Sequence, residues 1–145
     1  MLNRENTEVT VNRTQPNKSN KHSLKCTLIN ARSIMNKKQE LEAMVLDENP
    51  EIIFITETWA EEKHSKAELK LVGYDCHRND RAGRGGGCIV YAKENLKTTA
   101  IPTLTNTENT DTVWCKVEDV TLGVCYNTTA NSVEDEIPLL QLMTK

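Results

Sequence analysis

Lys25-Cys26-Thr27-Leu28-Ile29-Asn30 and Ile52-Ile53-Phe54-Ile55-Thr56-Glu57 are two short apolar runs, each closed by a polar residue. Between them Ile34, Leu41, Met44 and Val45 recur at helical spacing, Ser33 is a suitable N-cap, and Pro50 breaks the pattern. A helix is therefore expected over residues 34–49. A strand–helix–strand unit of this length makes two parallel strands with a right-handed crossover. As neighbours, such strands bring Asn30 and Glu57 to one edge of the sheet, where open α/β sheets bind ligands. The expected fold class is α/β, with an amide and a carboxylate forming a nest for a divalent cation and a phosphate.

On the N-terminal side, residues 1–22 are rich in Asn, Thr, Lys and Glu and show no apolar period. They read as a disordered leader, which leaves residues 23–145 as one domain. Downstream, residues 58–70 are charged and read as helix or loop over the cleft. Residues 71–74 begin a strand region, and 78–87 form a polar loop feeding a strand over 88–92. Residues 102–111 read as a Thr- and Asn-rich loop. Val113, Cys115 and Val117 alternate with Thr112, Trp114 and Lys116, a half-buried strand pattern. A second strand over 121–126 completes a hairpin through Glu118-Asp119-Val120. The tail, 133–145, reads as the start of an amphipathic helix at Glu134. The sum is about six strands in a mixed sheet with one firm helix.

Hydrophobic residues make up 37% of the 145 and charged residues 27%, which suits a globular domain. A net charge of −3 excludes a global basic face, and 4% aromatics exclude a rich stacking surface for single strands. Nucleic acid could be held only through a local basic patch or through metal ions. Cys26, Cys76, Cys88, Cys115 and Cys125 include no CxxC pair and no Cys/His cluster at zinc spacing. They read as reduced core thiols of a nuclear or cytoplasmic protein. No apolar signal region or membrane-length stretch is present, so neither secretion nor a membrane is expected.

Glu57 is a candidate ligand for Mg²⁺ or Mn²⁺, since hard cations take oxygen ligands. It is equally an ordinary charge at a strand end. Asn30 can orient a phosphate or a metal-bound water, or simply end a strand. The segment Arg78-Asn79-Asp80-Arg81-Ala82-Gly83-Arg84-Gly85-Gly86-Gly87 lacks the GxxxxGK[ST] pattern, and a strand rather than a helix follows it. Its glycines are expected to permit a tight bend or close backbone packing. Arg78, Arg81 and Arg84 form a cationic cluster suited to phosphate contact, or a solvated loop. Tyr126 puts a phenol at a strand end. His22, His64 and His77 have no evident partner that would make a base, and no nucleophilic Ser or Cys arrangement stands out.

Asn-Ala-Arg-Ser at 30–33, Ile-Thr-Glu-Thr-Trp at 55–59 and the basic-glycine segment at 78–91 together resemble the endonuclease/exonuclease/phosphatase superfamily. More narrowly they resemble the apurinic-type endonuclease domain of non-LTR retrotransposons, which precedes a reverse transcriptase. The resemblance covers about residues 25–132. It implies a four-layer α/β sandwich, of which this chain carries about the first half. It implies that Glu57 binds the catalytic metal, that Asn30 helps position metal and phosphate, and that Tyr126 lies near the scissile phosphate. The implied reaction is Mg²⁺-dependent cleavage of a DNA phosphodiester, the nick priming reverse transcription. Two features depart from the family. Asn127-Thr128-Thr129 stand where the family has an Arg and prolines, and no Asp-x-Asn pair or His follows Tyr126. The expectation is a truncated, inactive fragment, or a remnant that only binds nucleic acid.

Overall fold

A computed structural model describes residues 3–15, 18–82, 85–102, 110–127 and 138–144. In chain order the elements are β1 (Asn3–Gln15), β2 (Lys18–Asn30), α1 (Lys38–Glu48), β3 (Ile52–Thr56), β4 (Tyr74–Asn79), β5 (Cys88–Lys93), β6 (Thr99–Ala100), β7 (Thr110–Val117), β8 (Val120–Asn127) and β9 (Pro138–Thr144). A short 3-10 turn, Glu94–Leu96, follows β5. They form two sheets, one ordered β1-β2-β3-β5-β4 and the other β6-β7-β8-β9.

The first sheet is mixed, with β2 and β3 parallel as expected and Asn30 opposite Thr56. All five residues of β3 are buried, because both of its faces are covered. Ile52 and Phe54 point into a core shared with Val113, Cys115, Leu122, Val124 and Tyr126 of the second sheet. Ile53 and Ile55 point the other way, against Leu41 and Met44 of α1 and Ala60, Leu69 and Leu71 of the following loop. Period-two alternation thus assigns each strand residue to one of two cores. The described residues make three layers: helix and loop, mixed sheet, second sheet. This is compatible with an α/β fold, and the described residues form no fourth layer.

Four expectations are corrected. Residues 3–15 are not a disordered leader: they pair antiparallel with β2 from Asn3↔Asn30 to Gln15↔Lys18. Their order comes from a partner strand rather than from an apolar period. Val9 is buried in the inter-sheet core, and Arg4 pairs with Glu48 at 2.6 Å. Ser33 is not a helix cap. Its N–H donates to Glu57 O at 3.0 Å, and the helix begins only at Lys38. The helix does stop before Pro50, on a left-handed Asn49 whose N–H returns to Val45 O. Thr110 and Asp111 belong to a strand, not a loop. Finally, residues 138–144 form a strand along β8 rather than continuing a helix. Pro138 opens that strand, where a missing N–H is tolerated.

The cysteines are all free. Burial pushes the Cys26 and Cys115 thiols up to about 12, so they stay protonated and inert. No helix among the described residues is long and apolar enough to cross a membrane.

Candidate active site

The β2–β3 ladder continues past its strand ends. Ala31 N–H donates to Thr56 O, Ser33 N–H to Glu57 O and Ile34 N–H to Thr58 O, each at 3.0 Å. This zipper holds residues 31–34 against 56–58 at the carboxyl edge of the sheet. It also forces unusual backbone. Arg32, Ser33, Glu57 and Trp59 all have positive φ, at 46°, 84°, 49° and 54°. Left-handed backbone at non-Gly residues costs roughly 1–2 kcal/mol each, and concentration of such strain is typical of functional loops.

Glu57 is held at this edge from the opposite sheet. Tyr126, fully buried in β8, donates its hydroxyl to Glu57 Oε1 at 2.8 Å. Arg32 Nε lies 3.8 Å from Glu57 Oε2, and the Glu57 side chain is 14% exposed. Asn30 Oδ1 is buried and finds no hydrogen-bond partner among the described residues. A buried, unsatisfied amide oxygen is uncommon and calls for a missing partner. The structure therefore brings Asn30, Glu57 and Tyr126 to one place, from two neighbouring strands and the facing sheet.

The arginines are placed differently. Arg81 makes a two-pronged pair with Asp111, Nε to Oδ1 at 3.1 Å and Nη2 to Oδ2 at 2.6 Å. Asp111 is fully buried, and it also accepts the Gly87 N–H at 3.3 Å. Asp111 lies opposite Tyr126 in the β7–β8 register, so this pair stands beside the Glu57–Tyr126 bond. Arg78 grips Asp80 Oδ2 at 2.5 Å and the carbonyls of His64 and Glu61 at 2.8 and 2.9 Å. Both guanidiniums have internal partners and brace the loops around the site. They do not stand as one open cluster. Arg84 lies outside the described residues.

Gly86 and Gly87 serve close packing, while Gly85 serves the backbone bend. All three have positive φ. A Cβ on Gly87 would meet Thr58 Oγ1 at 2.7 Å. The Gly86 and Gly87 carbonyls accept the N–H groups of Trp59 and Thr58 at 2.9 and 3.2 Å, which fastens the basic-glycine loop to the turn bearing Glu57.

His77 Nε2 bonds Thr98 Oγ1 at 2.8 Å, and burial lowers its pKa. His64 Nδ1 accepts the Glu61 N–H at 2.9 Å. Asp111 and Arg32 escaped the sequence reading: Asp111 sits in a polar stretch that resembles a loop, and Arg32 follows no pattern of its own. No group of three or more His, Cys, Asp or Glu able to hold a metal occurs among the described residues. The hard-oxygen donors present are one carboxylate and one amide. That set fits Mg²⁺, which keeps several waters and often takes only one or two carboxylates.

No curated protein matches the chain. A model of the endonuclease/exonuclease/phosphatase family matches residues 28–142. Proteins of that family are generally nucleases and phosphatases that depend on a divalent metal. The matched span opens inside β2, takes in Asn30, Glu57 and Tyr126, and closes inside β9. On the strength of that span, most of its length, the chain belongs to the endonuclease/exonuclease/phosphatase family.

Proposed function

We propose that this chain is the front part of a retroelement-type, Mg²⁺-dependent DNA endonuclease site. In this reading it sits in a longer polypeptide that also carries a reverse transcriptase, within a four-layer sandwich. The observation that carries this is the orphaned Asn30 Oδ1 on the strand next to a Glu57 held by Tyr126. Asn30 and Glu57 would hold Mg²⁺ or Mn²⁺. When bound, the metal supplies charge neutralisation at a phosphate oxygen. The Tyr126 hydroxyl occupies Glu57 Oε1, which leaves Oε2, beside Arg32, as the oxygen to meet the metal. Arg32, 60% exposed beside Glu57, supplies a cation for a DNA phosphate. Free thiols and protonated cysteines suit a nuclear or cytoplasmic setting.

The Glu57 carboxylate is met by the Tyr126 phenol and the Arg32 guanidinium, and no Asp-x-Asn pair or His follows Tyr126 in these residues. We therefore propose that these 145 residues alone bind metal and DNA without turning over. Mn²⁺ titration followed by electron paramagnetic resonance tests the metal assignment. Glu57→Ala is expected to weaken Mn²⁺ binding by at least about 10–100-fold, the range found even for groups one step removed from a metal. Equal binding by wild type and variant would remove Glu57 from the metal site. Plasmid nicking in Mg²⁺ tests the rest. Wild-type nicking that disappears in Glu57→Ala would show that the half-site does turn over.

A further inference from the structure

Trp59 has an exposed side chain where the family assignment gives it no task. It is 44% exposed, two residues beyond Glu57, with φ at 54°. A large aromatic group left in water on a strained backbone is costly unless something covers it. Its backbone N–H is fixed to Gly86 O at 2.9 Å, and Gly85 lies near the indole nitrogen: a Cβ there would be 3.8 Å from Nε1. The backbone that carries the ring is therefore anchored.

The indole lines a groove of about 540 Å³ together with Ser33, Met35, Glu61, Lys63, His64 and Gly85. That volume is in the usual range for a small-molecule-sized site, about 300–1,000 Å³. The groove lies next to the Glu57 edge, because Ser33, one of its lining residues, donates its N–H to Glu57 O. Lys63, in its lining, is 69% exposed and meets Glu61 at 3.1 Å, and Arg32, next in the chain to the lining Ser33, is 60% exposed and 3.8 Å from Glu57. An aromatic platform beside two accessible cations, next to a phosphate site, has the chemistry that receives an unpaired nucleotide.

We propose that the Trp59 groove seats one unpaired base of the DNA strand, stacked on the indole, next to the phosphate held at Glu57. This rests on the nucleic-acid function proposed above. Stacking is tolerant of sequence, so the groove selects an unstacked base rather than a particular one. It is a single platform, consistent with a chain too poor in aromatics for an extended stacking surface.

Fluorescence anisotropy with two labelled single strands of equal length tests this, one of thymidine and one of abasic units with the same phosphates. Wild type is expected to prefer the thymidine strand by roughly ten- to a hundredfold. Trp59→Ala should abolish the preference while leaving abasic-strand affinity in place, and Trp59→Phe should keep most of it. Equal affinity of wild type for both strands overturns the stacking groove alone. So does a full preference surviving in a folded Trp59→Ala. Binding of neither strand overturns the nucleic-acid function along with it.

Discussion

Asp111→Ala is expected to lower the unfolding free energy by about 3–5 kcal/mol, the usual consequence of removing one partner from a buried ion pair. Arg81 is only 17% exposed and Asp111 not at all, so the guanidinium left behind has little water to turn to. The Gly87 N–H loses its acceptor in the same step. A domain stable by about 5–15 kcal/mol would lose a large share of that stability. Urea unfolding measures it, as a lower midpoint at unchanged slope. Replacing both partners together, Arg81→Met with Asp111→Leu, should recover much of the loss, since two apolar groups leave no stranded charge. A loss under about 1 kcal/mol for Asp111→Ala would mean that the pair behaves like a surface salt bridge, with water reaching the junction of the two sheets.

That pair also marks where the sequence could and could not be read. Asn30 and Glu57 were legible because each interrupts an apolar run, and two such runs about one helix apart make a parallel pair. The helix face was legible in Leu41 and Met44, both buried. The hairpin was legible in the alternation of Val113, Cys115 and Val117, also buried. What was hidden depends on partners distant in the chain. β1 has almost no apolar pattern, and its order comes from a ladder with β2. Ser33 has the chemistry of a cap, but its N–H is taken by Glu57 O, which delays the helix. Arg81 looks like a free cation until a carboxylate 30 residues away is found on it. Asp111 falls in phase with Val113, Cys115 and Val117 on the buried face, but its charge and the polar residues before it mask that signal. The family match adds the chemistry, generally that of a metal-dependent nuclease or phosphatase, but it does not reveal which side chains brace the site.

Gly86→Ala is expected to destabilise the protein by about 3 kcal/mol or more, and its neighbour provides the control. Both Gly85 and Gly86 have positive φ, at 74° and 64°, so either alanine carries the left-handed backbone penalty of roughly 1–2 kcal/mol. Only Gly86 adds a collision. Its Cβ would lie 2.3 Å from Arg81 Nε and 2.6 Å from Asp111 Oδ2, whereas at Gly85 the nearest atom is 3.8 Å away. The arginine can swing aside, but Asp111 is short and buried, so relief comes only by breaking the two-pronged pair. Overpacking of this kind costs about 1–3 kcal/mol by itself. The damage should reach the site, because the Gly86 and Gly87 carbonyls hold Trp59 and Thr58, the two residues that follow Glu57. Gly86→Ala is therefore expected to weaken Mn²⁺ binding as well, while Gly85→Ala binds nearly as wild type. Paired urea and Mn²⁺ titrations of the two variants decide it. Equal losses at both positions would mean that the glycines matter only for backbone conformation, and that the Arg81–Asp111 pair does not transmit packing to Glu57.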